Sequence, residues 1–349
     1  MYHINFIKRC IQLAKNGLGT SYPNPMVGSV VVHNNKIIGE GWHYQAGLPH
    51  AEVNAINSVR NKNLLNKSTI YVSLEPCSHF GKTPPCSDLI INSGIKKVVI
   101  GTVDPFAKVA GKGIEKLKNA GCEVIVGVLE KECQELNKRF FTFHTKKRPY
   151  IFLKWAQSTD HFLSPQKRND LTREPVWITN NFSKQLVHQQ RAYEQAILVG
   201  TNTVIEDNPS LNTRLWFGSN CTRVVLDLQT RIPVNSSIFD GNQPTIIISS
   251  DYSQKNRENL TFEVIDRSLP IAEQICTILY KHQLQSLIIE GGQQTLKSFI
   301  DSDLWDEAFI YTGTKTSFKK GTPSPKLNKG KLLNSTLIIN DTLTHYRND

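Results

Sequence analysis

The sequence has 349 residues, of which 39% are hydrophobic and 20% charged, and its formal net charge is +11. At about 150 residues per domain this length predicts two domains, and the composition excludes disordered and collagen-like chains. No apolar run approaches the ~20 residues that span a bilayer, and the first residues lack the pattern of a secretory signal peptide. We therefore expect a cytoplasmic protein without a membrane partner.

The distribution of charge and the number of cysteines narrow the possible ligands. Residues 1–147 carry 19 basic and 10 acidic side chains, whereas residues 148–349 carry 22 and 20. The basic first half favours nucleic acids or phosphorylated small molecules as partners. Seven cysteines, an odd number without a secretion signal, argue against a disulfide framework. A cysteine with a function is therefore expected to bind metal.

Helical and strand patterns alternate along the first half, which is typical of a layered α/β domain. Helical spacing and stop glycines predict helices at residues 6–16, 51–60, 87–92 and 113–119. Runs of β-branched residues predict strands at residues 26–32, 36–39, 69–74, 97–103 and 123–128. A turn at Asn34 and Asn35 is expected to join the first two strands as a hairpin.

Two short segments of the first half carry the residues of a metal centre. His50 and Glu52 stand two residues apart in one segment, and Cys77 and Cys86 lie in the other. One imidazole and two thiolates give Zn2+ three protein ligands and leave its fourth position open for water, as in catalytic zinc sites. The metal would lower the pKa of that water to about 7, and Glu52 would carry its proton to a ring nitrogen and the departing ammonia. This pattern is the signature of zinc nucleobase deaminases, although here eight residues separate the cysteines instead of two.

The predicted boundary between the domains is a basic cluster at residues 138–149 that ends in a proline. We divide the chain there into domains 1–146 and 147–349. Such a cluster is typical of a solvated linker, although three phenylalanines within residues 140–143 indicate that part of it packs against a domain.

The second half has the pattern of another, longer α/β unit. Strands are predicted at residues 150–153, 196–200, 223–228, 245–249, 286–289 and 308–311, and helices at residues 183–194, 271–281 and 293–300. No Gly-x-Gly-x-x-Gly follows an early strand, so a standard Rossmann site is not supported. Instead Glu290, Gly291 and Gly292 lead from a strand into a helix, and such a loop can present a helix N-terminus to a pyrophosphate. A plain turn is the alternative.

The motifs of the first half resemble the deaminase half of the RibD family of bifunctional riboflavin biosynthesis enzymes. The resemblance covers nearly all of residues 1–145 and is carried by residues 20–28, 39–43, 50–52, 74–86 and 104–113. It implies a cytidine-deaminase-like three-layer α/β domain. The implied reaction is zinc-dependent deamination of 2,5-diamino-6-ribosylamino-4(3H)-pyrimidinone 5′-phosphate.

Candidate substrate contacts of this domain follow from the same motifs. His79, Lys82 and Thr83 offer three phosphate-compatible donors within five residues of the loop between the cysteines. Asn24 is a candidate for hydrogen bonding the pyrimidine, because two flanking prolines restrict its backbone. A solvated Lys82 and an ordinary turn asparagine remain alternatives, and His43 receives no function.

The second half resembles the reductase half of the same family, a domain similar to dihydrofolate reductase. By this resemblance NADPH reduces the ribosyl side chain of 5-amino-6-(5-phosphoribosylamino)uracil to ribityl. The residues that would hold NADPH are Ala156, Trp177, Thr203, Asp207 and Gly292. The residues that would hold the substrate are Lys154, Arg191, Leu211, Arg214 and Glu290. Two arginines suit phosphate oxygens, and Lys154 and Glu290 would assist opening of the ribose ring.

Two positions depart from the pattern of the reductase half. His161 stands where the family usually has glycine, and Pro175 stands where a substrate-contacting serine is common. At each of these two positions, the sequence does not determine the local contact that the usual family residue would make. Trp177 as a core aromatic residue and Asp207 as a turn residue also remain alternatives.

We expect a bifunctional deaminase and reductase that binds a phosphorylated ribosylamino-pyrimidine and NADPH. One alternative is a basic zinc deaminase that acts on tRNA, and another is a deaminase with a non-catalytic reductase-like domain. The long loop between the cysteines and the reductase-like segments weigh against the first. We therefore expect no nucleic-acid partner, and we predict a homo-oligomer.

Overall fold

The computed structural model describes residues 2–79, 84–106, 110–166, 176–251 and 255–348. The chain forms two compact units, Met1–Lys147 and Arg148–Asp349. Among the described helices, none has the length and apolar character needed to cross a bilayer.

The first unit contains a five-stranded sheet. Its strands are β1 (Gly28–His33), β2 (Lys36–Trp42), β3 (Thr69–Leu74), β4 (Lys97–Thr102) and β5 (Glu123–Val126). Their spatial order is β2-β1-β3-β4-β5, in which β1 runs antiparallel to both neighbours and β3, β4 and β5 are parallel. The predicted hairpin is confirmed, because Asn34 and Asn35 both adopt positive φ between β1 and β2.

Helices cover both faces of this sheet. They are α1 (Tyr2–Ala14), α2 (Ala51–Ser58), α3 (Cys86–Asn92), α4 (Lys112–Asn119), α5 (Glu130–Leu136) and α6 (Lys138–Lys146), with 3-10 helices at Lys15–Gly17 and Lys62–Lys67. Alternation along β3 sends Ile70 and Val72 into the core beneath α2, α3 and α4, and Tyr71 into the core beneath α1. The three-layer α/β domain is thereby confirmed.

The expectation of a solvated linker at residues 138–149 is wrong for most of this segment. Helix α6 occupies it, and Phe140 and Phe143 are 7% and 1% exposed. Residues three apart lie on the same side of a helix, so these two rings form a buried apolar face while the basic side chains point elsewhere. The density of positive charge concealed this amphipathic spacing.

The second unit contains a nine-stranded sheet and a separate two-stranded one. Its strands are β6 (Tyr150–Ser158), β7 (Phe162–Pro165), β8 (Ala196–Gly200), β9 (Thr222–Leu226), β10 (Thr245–Ser249), β11 (Leu260–Val264), β12 (Ser286–Gly291), β13 (Glu307–Gly313), β14 (Gly321–Pro323), β15 (Lys331–Ile338) and β16 (Asp341–Arg347). The large sheet has the order β11-β10-β9-β8-β12-β6-β13-β16-β15. The first seven strands in this order are parallel to one another. Strand β16 runs antiparallel to both of its neighbours, β13 and β15. The two-stranded sheet consists of β7 and β14, which are antiparallel.

The helices of the second unit pack on both faces of the parallel strands. They are α7 (Asn181–Tyr193), α8 (Thr201–Asp207), α9 (Ile271–Lys281) and α10 (Gln293–Asp301), with a 3-10 helix at Ser237–Phe239. Leu287 and Ile289 of β12 join the core with α9 and α10, whereas Ile288 joins the core with α8. The carboxyl ends of β6, β8 and β12 consequently meet at one edge, where parallel α/β sheets bind their ligands.

Candidate active sites

Three metal-ligating side chains converge in the first unit. His50 precedes α2, Cys77 follows the end of β3, and Cys86 is the first residue of α3. The His50 Nδ1 atom lies 3.6 Å from Cys77 Sγ and 3.3 Å from Cys86 Sγ, and the three ligand atoms lie within 4.8 Å of one another. Zinc bonds of about 2.3 Å to sulfur and about 2.0 Å to nitrogen place such atoms about 3.5 Å apart in a tetrahedral site. This donor set fits Zn2+.

The environment of Cys77 favours its thiolate form, which is the form that binds metal. Hydrogen bonds with Cys86 and His50 lower the pKa of the Cys77 thiol although burial opposes this shift. The backbone N–H of Cys86 also donates to Cys77 Sγ at 3.3 Å. The start of α3 therefore supplies both a ligand and a hydrogen bond to the other cysteine.

Glu52 lies in the first turn of α2, next to this cluster. Its side chain is 3% exposed and is in hydrogen-bonding contact with Cys86. Burial raises the pKa of Glu52 to about 7. A carboxyl group that can gain and lose a proton near neutral pH is suited to general acid–base chemistry.

Glu75 fixes the segment that leads into the cysteine ligand. Its carboxylate accepts hydrogen bonds of 2.9 Å from the backbone N–H groups of Gly111 and Gly113 at the start of α4. A Cβ atom at Gly113 would lie 2.0 Å from the carbonyl oxygen of Pro76, so only glycine allows this approach. The sequence motifs include Glu75 without a role, because Gly111 and Gly113 lie 36 and 38 residues away in the chain.

Asn24 is held by His43, a histidine to which the sequence pattern assigns no function. Asn24 Nδ2 lies 3.0 Å from His43 Nε2, and His43 Nδ1 lies 3.2 Å from the carbonyl oxygen of Pro49. If Nδ1–H donates to that carbonyl, Nε2 accepts from the Asn24 amide, which orients the amide. His43 is 2% exposed, and its ring packs edge-on against the His50 ring. A single histidine after Gly-Trp has no spacing signal that would have identified it.

Of the three predicted phosphate contacts, only His79 is among the described residues. His79 is exposed. Lys82 and Thr83 lie outside the described residues. Their contact with a phosphate stays a prediction.

The second unit has a cavity of about 990 Å³ at the carboxyl ends of β6, β8 and β12. The structure brings together around it all ten residues that the reductase resemblance singled out. They are Lys154, Ala156, Trp177, Arg191, Thr203, Asp207, Leu211, Arg214, Glu290 and Gly292. These residues come from β6, α7, α8 and β12 and from the loops between elements, so the parallel sheet and α7 are needed to assemble the cavity.

A cluster of charged side chains that are 9–13% exposed lines this cavity. Arg191 donates two hydrogen bonds to Glu290, from Nε to Oε1 at 2.9 Å and from Nη2 to Oε2 at 2.7 Å, while Lys154 Nζ lies 3.6 Å from Oε2. Burial lowers the pKa of Lys154 even beside the carboxylate. Although burial raises it, the charges of Arg191 and Lys154 hold the pKa of Glu290 well below its usual range. The shorter distances identify Arg191 as the main counterion of Glu290.

The glycine loop after β12 and the start of α8 lie close together. Gly291 has φ +136°, in the region that favours glycine, and Gly292 caps α10. A Cβ atom at Gly292 would lie 3.4 Å from Thr203 Oγ1, and one at Gly200 would lie 2.7 Å from Thr295 Oγ1. Because neither position has a side chain, the space beside the N-terminus of α10 stays unfilled. A helix N-terminus with such space is suited to the pyrophosphate of NADPH.

The structure shows the surroundings of Trp177, Asp207 and His161, whose roles the sequence leaves open. Trp177 is 58% exposed, so its interpretation as a core aromatic residue is wrong, and Lys184 Nζ lies 3.5 Å from the centre of its ring. Asp207 is the last residue of α8, and burial raises the pKa of its carboxyl. His161 has φ +63°, a conformation typical of glycine, and its Nδ1 lies 3.0 Å from Gln157 Nε2. Pro175 lies outside the described residues.

Two family models match the chain in the order of the two units. The model of the cytidine and deoxycytidylate deaminase zinc-binding region matches residues 1–102, and the model of the RibD C-terminal domain matches residues 149–323. The riboflavin biosynthesis protein RibD of Aquifex aeolicus is 42% identical over 316 residues, which cover 89% of this chain and 86% of that protein. RibD of Actinobacillus pleuropneumoniae is 36% identical, over 99% of this chain and 95% of the relative.

Solved structures agree with these matches. The crystal structure of a diaminohydroxyphosphoribosylaminopyrimidine deaminase/5-amino-6-(5-phosphoribosylamino)uracil reductase from Thermotoga maritima has a TM-score of 0.86 and 39% identity, covering 99% of this chain and 98% of that one. Acinetobacter baumannii RibD has a TM-score of 0.87 and 30% identity over the same shares. The chain therefore belongs to the RibD family of bifunctional riboflavin biosynthesis enzymes, with a zinc-dependent deaminase domain followed by an NADPH-dependent reductase domain.

Proposed function

We propose that the chain deaminates 2,5-diamino-6-ribosylamino-4(3H)-pyrimidinone 5′-phosphate and then reduces the resulting 5-amino-6-(5-phosphoribosylamino)uracil with NADPH. The name of the Thermotoga maritima relative describes both activities. The observation that carries the proposal is that the chain holds two complete sets of reactive groups. One set is the ligand cluster with buried Glu52, and the other is the cavity around Arg191 and Glu290.

In the deaminase site, His50, Cys77 and Cys86 would hold Zn2+. When bound there, the ion would lower the pKa of a water molecule and so supply a nucleophile at neutral pH. Glu52 takes one proton from that water at its carboxylate and delivers it to the ring nitrogen. It then takes the remaining proton of the hydroxyl group that has added to the ring carbon and gives it to the amino group, which leaves as ammonia while the carbonyl forms. Asn24, oriented by His43, hydrogen-bonds the pyrimidine.

The phosphate of the deaminase substrate is assigned to His79 and Lys82. Both belong to the long loop between the cysteine ligands, and each offers an N–H donor that suits a phosphate oxygen. This loop is adjacent to Cys77 and Cys86 in the chain. It therefore distinguishes a phosphorylated ribosylamino-pyrimidine from a free base.

In the reductase site, NADPH supplies a hydride and would be held by Ala156, Trp177, Thr203, Asp207 and Gly292. Arg191 is engaged by Glu290 and by the carbonyl oxygen of Asn212, at 3.2 Å. Arg214 is exposed at the cavity, so of the two arginines it is better placed for the substrate phosphate. Leu211 is buried against the cavity and would limit the position of the ribosylamino group.

Lys154 and Glu290 act on the ribose ring. The lowered pKa of Lys154 makes it a better proton donor than an exposed lysine. Lys154 protonates the ring oxygen as the C1′–O4′ bond breaks, the amino nitrogen forms a double bond to C1′, and that carbon is then open to reduction. Glu290 stabilises the positive charge of the iminium ion that this step forms.

The test is to incubate the purified chain with the diamino substrate and to identify products by mass spectrometry. Without NADPH the deaminated compound should accumulate, and with NADPH the ribityl compound should replace it. Absence of the deaminated compound would refute the first assignment, and its accumulation in the presence of NADPH would refute the second. The domain limits 1–146 and 147–349, the homo-oligomer, the lack of a nucleic-acid partner and the cytoplasmic location stay predictions.

A further inference from the structure

His188 is a buried titratable side chain that the proposed mechanism does not use. It lies on α7 one turn before Arg191 and lines the same cavity. The residue is 4% exposed. Among the described residues its buried Nδ1 atom has no hydrogen-bond partner. Because a buried polar atom without a partner is uncommon, this atom bears on which ring nitrogen carries the proton.

The surroundings of His188 keep its ring neutral. Burial and the charges of Arg191 and Arg214 lower the pKa of His188 to about 4, and Lys154 acts in the same direction while Glu290 opposes it. At neutral pH the ring therefore has one N–H donor and one lone pair. A neutral imidazole adds no further positive charge to that of Lys154, Arg191 and Arg214, which line the same cavity.

The position of the proton follows from the burial of Nδ1. A buried N–H group without an acceptor is rarer in proteins than an acceptor without a donor. The proton is accordingly expected on Nε2, and the lone pair on Nδ1. His188 lines the cavity and its Nδ1 is inaccessible, so we assign the contact with a bound molecule to Nε2.

We propose that His188 binds the reductase substrate by donating a hydrogen bond from Nε2 to a hydroxyl oxygen of the ribosyl group. This inference rests on the proposed function of the cavity. Arg214 is exposed and is assigned to the phosphate, whereas His188 is buried beside Arg191 and Glu290, where the ribosyl group would be bound. His188 thereby orients the sugar, and Lys154 and Glu290 assist the opening of its ring.

Two conservative substitutions test this assignment. In His188→Gln the side-chain amide nitrogen reaches about as far as Nε2 and can replace its donor, whereas in His188→Asn it reaches only as far as Nδ1. His188→Gln should keep the reductase KM within about threefold of wild type, and His188→Asn should raise it about tenfold at similar kcat, the effect of one lost hydrogen bond. Gln185→Asn is the matched control, because Gln185 is exposed on the same helix.

Deaminase activity and thermal unfolding of each variant show whether folding is preserved. If His188→Gln and His188→Asn have the same KM, or if both match wild type, the assignment to Nε2 is overturned. A wild-type enzyme that releases ammonia but never oxidises NADPH would instead refute the proposed function of the cavity. The two failures are thus distinguishable in one series of assays.

Discussion

Glu290→Gln is the substitution whose effect can be worked out most fully from the structure. Glutamine keeps the shape of the side chain but removes the negative charge that faces Arg191 and Lys154 in a buried site. The pKa of Glu290 is about 2 in the folded chain, against an ordinary value of 4.5. At about 1.4 kcal/mol per pKa unit, this difference corresponds to about 3 kcal/mol of stability at neutral pH. A loss of that size agrees with the effect of breaking a buried ion pair.

The same shift fixes the pH dependence of this effect. Because the folded-state pKa is depressed, the contribution is fully present above pH 4.5 and is lost as the pH falls towards 2. The difference between wild type and Glu290→Gln should therefore shrink from about 3 kcal/mol at pH 7 to about 1.5 kcal/mol at pH 3. Glu258→Gln is the matched control, since Glu258 is exposed. It should change stability by less than about 0.5 kcal/mol.

Urea unfolding followed by tryptophan fluorescence is the appropriate assay. Four of the five tryptophans lie in the second unit, so the signal reports mainly on the unit that contains Glu290. Equal midpoints for Glu290→Gln and wild type at pH 7 would refute the reasoning. So would a difference between the two proteins that does not change between pH 7 and pH 3.

The remaining predictions concern the deaminase unit. Glu52→Gln should keep zinc but lower ammonia release by about 10²–10⁴-fold, because Glu52 transfers protons and is not a zinc ligand. Loss of zinc from this variant would show that the role assigned to Glu52 is wrong. Cys86→Ser should lower both zinc content and ammonia release and leave NADPH oxidation on deaminated substrate intact, and equal loss of both activities would argue against two independent sites. Gly113→Ala should lower the thermal unfolding temperature and the zinc content, since its Cβ would meet the Pro76 carbonyl oxygen at 2.0 Å, and a variant as stable as wild type would contradict this.

The central strands of both units could be predicted because their sequence pattern depends on burial. β3 and β8 are short apolar runs that are covered on both faces, and such runs stand out in the sequence. β15 was not predicted, since seven of its eight residues are exposed and it has no alternation of buried and exposed positions. The sequence predicts a linker in place of helix α6, because the basic residues of this segment obscure the helical spacing of Phe140 and Phe143.

The metal ligands could be predicted, whereas the residues that hold the site in place could not. His50, Cys77 and Cys86 occur in a known order with Glu52 beside them, so short-range spacing suffices to identify them. His43 and Glu75 act through backbone groups or side chains that the fold brings to them from elsewhere in the chain. Only the three-dimensional structure shows such partners.

The most direct test of the central claim is the stoichiometry of the complete reaction in one tube. We predict that the purified chain contains zinc equimolar with protein. With the diamino substrate and NADPH, it should release ammonia and oxidise NADPH in equal amounts, the ammonia appearing first. Ammonia release without NADPH oxidation would contradict the claim of two active sites in one chain, and zinc-free protein that still releases ammonia would contradict the assigned metal centre.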